Sequence, residues 1–330
     1  MGVGSIFKKQ GGFSLIKNLA KNGVLFYALV CFLIIPKDKA GLETLRELIS
    51  TKIYKKLKRK FKNEILYEKS HSELVSESIN EQTLNQIQGA TPLKNTKPKI
   101  IWFCWLQGIE NAPELVKRCY KSIQEFCSDY KIIVITSENY ADYTDIPDFI
   151  IKKWKNGIIT NTHFSDILRT NLLVKNGGTW IDSTVLLTSK IPVDIENVPL
   201  FLFRTYKPGC NGKTVNLSSW FLSSSKNNKV LSLEQNLLFE YWKNKNYLCD
   251  YFLFHDFFQI ALDTFQKDSK EIPKYTNETP HFLLFELANE FDEEKWNSIT
   301  TQSFCHKLTY KLTEEDKNKN GTFYKRIVEE

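Results

Sequence analysis

The sequence predicts an α/β fold: a mixed, mostly parallel sheet flanked by helices, with a helical arm in front. Three observations carry this. An apolar run at Lys99–Trp105, a helical pattern over Pro113–Phe126 and a second apolar run at Ile132–Thr136 follow at the spacing of a right-handed βαβ unit. The stretch 162–188 then repeats the alternation as helix, double glycine, short β-prone run and aspartate. Two long helical patterns fill much of the C-terminal third. The 330 residues are 42% hydrophobic and 25% charged, which suits a globular chain of one large or two small domains. Seven cysteines, an odd number without a CxxC pair, argue for reduced thiols and against a disulfide framework or a zinc site.

The arm spans residues 1–67. Residues 1–62 hold 14 lysines and arginines against 3 acids, a net of +11, whereas the whole chain carries +7. The basic character is therefore local. It is densest at Lys52, Lys55, Lys56, Lys58, Arg59, Lys60 and Lys62. Val24–Ile35 is a continuous apolar run of 12 residues, short of the ~20 that span a bilayer. Pro36-Lys37-Asp38-Lys39 follows it in place of the small-residue cleavage site of a signal peptide. The expectation is a monotopic anchor on the inner face of the plasma membrane, the basic helix lying on anionic headgroups and the rest in the cytoplasm. The alternative is a buried helix with a solvated basic face. Tyr54 and Phe61 interleave the basic run, but no nucleic-acid motif accompanies it, so no nucleic-acid partner is expected. Residues 68–97 are polar and read as a linker with a short helix near Glu73–Gln88, and the second domain runs over 98–330.

Within that domain, a short helix is expected over Asp145–Trp154. Apolar residues at Phe164, Ile167, Leu168, Leu172 and Val174 predict a one-sided helix over Phe164–Lys175, with Thr162 or Ser165 as its cap. Gly177 and Gly178 end it. Thr179–Ile181 restarts as a strand, so Asp182 falls at a strand's carboxyl end, where open α/β sheets collect ligands. Asp166 and Arg169, three apart, share one helical face. Such a set is either a small-molecule site or a surface salt bridge beside a turn aspartate. Further strands are expected at Val185–Leu187, Leu200–Arg204 and Trp220–Ser224, and helices at Val230–Lys243 and Tyr247–Phe265. The pair His255-Asp256 has the chemistry of a general base, but on so apolar a helix a satisfied, partly buried histidine is favoured.

The run His163-Phe-Ser-Asp-Ile-Leu-Arg169, then Gly177-Gly-Thr-Trp-Ile-Asp-Ser-Thr184, resembles the donor-binding core of GT-A glycosyltransferases with an Asp-x-Asp motif. It is most similar to the capsular polysaccharide synthesis proteins, relatives of the DxD sugar-binding-region glycosyltransferases and of the clostridial glucosylating toxins. The resemblance covers about residues 98 to 325 and is strongest at 100–127 and 162–192. It implies a Rossmann-like GT-A fold and a nucleotide-sugar donor, by preference a UDP-sugar. The acceptor would be a growing capsular or other cell-surface polysaccharide, or a lipid-linked oligosaccharide, with retention at the anomeric carbon.

By the same resemblance Asp182 contacts metal or ribose, Asp166 and Arg169 bind the donor sugar, and Gly177 and Gly178 turn the chain behind it. Trp102 or Trp105 stacks on the base and Gln107 touches the nucleotide, unless both tryptophans are core. His306 and Lys307 arrive late in the chain to fold over the diphosphate. The implied cofactor is Mn²⁺ or Mg²⁺. One departure matters: where the motif's second aspartate stands, this chain has Thr184, a poor ligand for a hard cation. Either Asp182 and a distant ligand such as His306 hold the metal, or a cation such as Lys307 replaces it. A non-catalytic carbohydrate-binding or assembly protein on the same fold, and a glycosyltransferase that modifies proteins, are the competing readings.

Overall fold

In the computed structural model of the chain, residues 13–86, 97–205 and 216–329 are described. The first twelve residues of the arm, positions 87–96 of the expected linker, and Cys210 lie outside them. The helices of eight or more residues are α1 (Phe13–Lys21), α2 (Leu25–Ile34), α3 (Lys39–Lys60), α4 (Lys62–Gln86), α5 (Glu114–Phe126), α6 (Asp148–Lys155), α7 (Asn161–Asn176), α8 (Lys229–Asn244), α9 (Leu253–Thr264) and α10 (Glu293–Thr300). The strands are β1 (Ile100–Cys104), β2 (Lys131–Ile135), β3 (Gly178–Ile181), β4 (Val185–Leu187), β5 (Leu200–Arg204), β6 (Leu217–Ser224) and β7 (Cys305–Lys307).

Five strands form one mixed sheet in the order β2-β1-β3-β6-β5. The first three run parallel, as the βαβ spacing demands, while β6 is antiparallel to β3 and β5 to β6. Side chains alternate across the strands. Trp102 and Trp180 pack into the core shared with α7, α8 and α9, while Ile101, Phe103 and Ile181 pack into a second core with α5 residues such as Val116 and Ile123. With both faces covered, the central strands read as unbroken apolar runs. A separate two-stranded ladder pairs β4 with β7, antiparallel, with Val185 opposite Lys307. That ladder brings the end of the chain to the loop after β3.

Gly177 and Gly178 correct one expectation. They sit at the start of β3, the opposite end from Asp182, so they do not turn the chain behind a ligand at that aspartate. Their role is close strand packing. Both have positive φ (72° and 100°), and a Cβ on Gly178 would lie 2.6 Å from the Ile100 carbonyl oxygen. Gly178→Ala is therefore expected to destabilise the fold by ~2 kcal/mol or more, read as a lowered midpoint in denaturant unfolding.

The arm is packed on the domain. Val24, Ala28, Ile53, Tyr54, Leu57 and Phe61 are buried in the core that contains α9. The Tyr54 hydroxyl donates to Asp263 (2.5 Å), Ser50 donates to Asp250 (3.1 Å), and Phe61 meets Phe257 edge to face. The opposite side of α2 is apolar too. Phe26, Leu29, Val30, Leu33 and Ile34 recur at i, i+3, i+4, i+7 and i+8 and point outward, Phe26 and Leu33 being 82% and 80% exposed. The helix expected near 73–88 is longer, running unbroken over Lys62–Gln86.

Candidate active site

The site lies where β3 ends. Asp182 follows Ile181, and its backbone N–H donates to the Trp220 carbonyl (2.8 Å), which holds the turn against β6. Helix α7, capped by Thr160 rather than Thr162 or Ser165, runs back alongside. Its i, i+3 spacing places Asp166 and Arg169 together, and the Arg169 guanidinium donates to Asp166 Oδ1 at 2.6 Å and to Asp182 Oδ1 at 3.3 Å. The guanidinium lies over both the Trp180 and the Phe254 rings, 5.1 and 5.5 Å from their centroids. Arg169 is thus the buried clasp between α7 and the end of β3.

From the other side, Lys307 on β7 donates to Asp182 Oδ2 and to Thr184 Oγ1, both at 2.8 Å. The Trp180 indole N–H also donates to Asp182 Oδ1 at 2.8 Å. Burial by itself would raise the Asp182 carboxyl, but the Lys307 ammonium and the Arg169 guanidinium outweigh it and hold the group below the usual carboxylate range. The side chains of Asp182 and Lys307 are 23% and 21% exposed, against 5% for Arg169. The accessible end of the cluster is therefore the Asp182–Lys307 pair. Asp166 and Arg169 hold that pair from beneath.

Two members of the network, His163 and Trp180, stand inside the motif without an assigned role. His163 accepts the Trp242 indole N–H at Nε2 (2.9 Å), so in the neutral ring Nδ1 carries the hydrogen, 3.4 Å from Asp166 Oδ2. The available clue was its i, i+3 spacing to Asp166. Trp180 reads from the sequence as a strand residue of the same motif. The neighbouring helix contributes His255, which feels both Asp166 and Arg169. Burial, the largest influence, lowers it to about 4, so it is a neutral imidazole at pH 7. Asp256, next to it in the chain, is fully buried, its carboxyl pushed well up by burial.

The remaining expected residues divide. Gln107 is exposed in the loop after β1, at the same end of the sheet as Asp182. Trp105 is half-buried at that end and meets Tyr310 edge to face. Trp102 is a correction: it is 1% exposed, its indole N–H donates to the Gly177 carbonyl, and its ring sits in the core with no face open to a base. His306 is another. Neighbouring strand residues point to opposite faces, and His306, fully buried, sits within hydrogen-bond distance of Thr188 (3.2 Å) rather than with Asp182. Burial lowers it to about 4.

The donor set does not fit a divalent cation. Both Asp182 oxygens face cationic partners, Thr184 adds only a hydroxyl, and His306 points elsewhere. Among the described residues no group of three His, Cys, Asp or Glu side chains is arranged to hold a metal. What the cluster does offer is an accessible ammonium fixed beside a carboxylate, suited to an anionic group that gains charge during a reaction.

The profile of the family described as "Capsular polysaccharide synthesis protein" matches residues 46–327, so the match begins inside the arm rather than at residue 98. No curated protein matches the sequence significantly. Among solved structures, the chain is similar to one described as "PaToxG Glycosyltransferase", at 16% sequence identity over 86% of this chain and 96% of that one, with a TM-score of 0.39.

Proposed function

The chain belongs to the capsular polysaccharide synthesis protein family, and from that premise we propose that it is a glycosyltransferase. It takes a nucleotide sugar, by preference a UDP-sugar, and extends a cell-surface polysaccharide or a lipid-linked oligosaccharide. The observation that supports this most is the Asp182–Lys307 pair, accessible at the carboxyl end of β3 and clasped from below by Arg169. In the reaction, the bond between the anomeric carbon and the β-phosphate oxygen breaks and its electron pair leaves with the diphosphate. The acceptor hydroxyl oxygen bonds the anomeric carbon, and its proton passes to the departing diphosphate. Lys307 stands beside the growing negative charge, Asp182 orients the donor, Arg169 and Asp166 keep Asp182 in place, and Trp105 and Gln107 lie where the nucleoside reaches. Incubating the full chain with a panel of UDP-, GDP- and dTDP-sugars and lipid-linked oligosaccharide acceptors tests this. Release of a nucleoside diphosphate with at least one donor is expected, and silence across the panel counts against the proposal.

The proposal extends to the arm, which we assign to an anionic membrane surface on the cytoplasmic side. No helix among the described residues is long and apolar enough to cross a membrane. The outward apolar stripe of α2 instead supports shallow burial among acyl chains. The Lys52 and Lys37 ammoniums lie over the Tyr27 and Phe32 rings of that region, 5.0 and 4.3 Å from the centroids, an amphipathic pairing that suits the boundary between headgroups and hydrocarbon. The chain is expected to co-sediment with vesicles rich in phosphatidylglycerol and to leave them as salt rises. The double variant Phe26→Asp, Leu33→Asp should weaken that binding ~10-fold or more. Undiminished co-sedimentation of the variant would overturn the assignment.

A further inference from the structure

We infer that this protein performs its transfer without a divalent cation, the Lys307 ammonium supplying the positive charge between Asp182 and Thr184. The inference rests on the glycosyltransferase reading above and deepens it. The geometry is specific. Lys307 Nζ bridges the first and third motif positions, 2.8 Å from Asp182 Oδ2 and 2.8 Å from Thr184 Oγ1.

The charges compensate. Two carboxylates with a dication sum to zero, and one carboxylate with one ammonium also sum to zero. The substitution that removes an acid, Thr184, is thus matched by a side chain that removes a positive charge from what must be bound. A dication entering here would meet Lys307 and Arg169 on either side of its one carboxylate, and both repel it.

Lys307 is also held in place. Its strand pairs with β4 directly after the motif, the Val185 N–H donates to the Asp182 carbonyl (3.0 Å), and the Leu308 N–H donates to the Thr184 carbonyl (2.8 Å). The backbone that carries the ammonium is therefore tied to the turn that presents Asp182. An ammonium has three hydrogens. Among the described residues Lys307 gives two of them to Asp182 and Thr184, and with the side chain 21% exposed the third can reach a phosphate oxygen.

The test compares wild type, Lys307→Ala and the double variant Thr184→Asp, Lys307→Ala in EDTA and in Mn²⁺. Each is checked by circular dichroism, and each is titrated with Mn²⁺ in the presence of UDP under electron paramagnetic resonance. Wild-type turnover should differ by less than about twofold between EDTA and Mn²⁺. Lys307→Ala should lose on the order of 100-fold in both. The double variant, with two motif acids and no ammonium, should gain ~10-fold or more in Mn²⁺ over EDTA and should bind manganese more tightly than free UDP does. Wild-type turnover that vanishes in EDTA and returns with Mn²⁺ overturns the inference, as does a folded double variant that ignores manganese. If no donor is turned over in either condition, the glycosyltransferase reading fails instead. The manganese titration then still separates the two failures: tight manganese binding by wild type beyond the UDP control refutes the cation-free site itself, whereas none held means that only the transfer reading has failed.

Discussion

Asp182→Asn is expected to lower nucleotide-sugar turnover by about 10²–10³-fold while leaving the protein folded. Asparagine keeps the size of the side chain and an oxygen for the Trp180 indole to donate to. What it removes is the charge that Lys307 and Arg169 share. Lys307 loses the partner that aims it, and the donor loses its most accessible acidic contact. The fold survives because Arg169 keeps Asp166 at 2.6 Å and Lys307 is partly solvated. A donor assay alongside a thermal melt separates the two effects. The wild-type carboxyl is held below its usual value. Its charge, and the stability it contributes, are therefore complete above the unfolded carboxyl pKa of about 3.9 and are lost only as pH falls through the lower, folded value. The asparagine variant should lack that acid-side dependence.

Arg169→Ala is expected to cost the most stability of any change in the site, on the order of 3–5 kcal/mol. It takes from the buried Asp166 its guanidinium partner, strips Asp182 of one cation, and removes the contacts with the Trp180 and Phe254 rings. Arg169→Lys should recover only part of the loss, because an ammonium cannot reach both carboxylates as a planar fork does. Denaturant unfolding of the two variants checks the order Arg > Lys > Ala.

The strands and helices that position the site were legible because each is local. Leu200–Arg204 and Val185–Leu187 have the predicted bounds, and the helix expected at Phe164–Lys175 runs over Asn161–Asn176. The Asp166–Arg169 pairing followed from helical spacing alone. What sequence could not give was register and burial. His306 and Lys307 are adjacent, so only the pairing of β7 with β4 decides which of them meets Asp182. Trp102 and Trp105 are alike within the one apolar run Lys99–Trp105, and in a strand covered on both faces apolar residues do not mark a side. The double glycine signalled a constrained backbone, yet nothing local said that the constraint was the approach of β1 rather than of a ligand. The arm's apolar run was likewise two-sided, with Val24 and Ala28 turned inward and Phe26 and Leu33 outward.

The central claim is that the cluster of Asp166, Arg169, Asp182 and Lys307 is the donor site. A crystal structure of the full chain soaked with a UDP-sugar tests it most directly. The account predicts diphosphate density within hydrogen-bond reach of Lys307, the sugar against Asp182, the base beside Trp105, and no metal peak between Asp182 and Thr184. Nucleotide bound elsewhere on the chain, with the Asp182–Lys307 pair untouched, would contradict it.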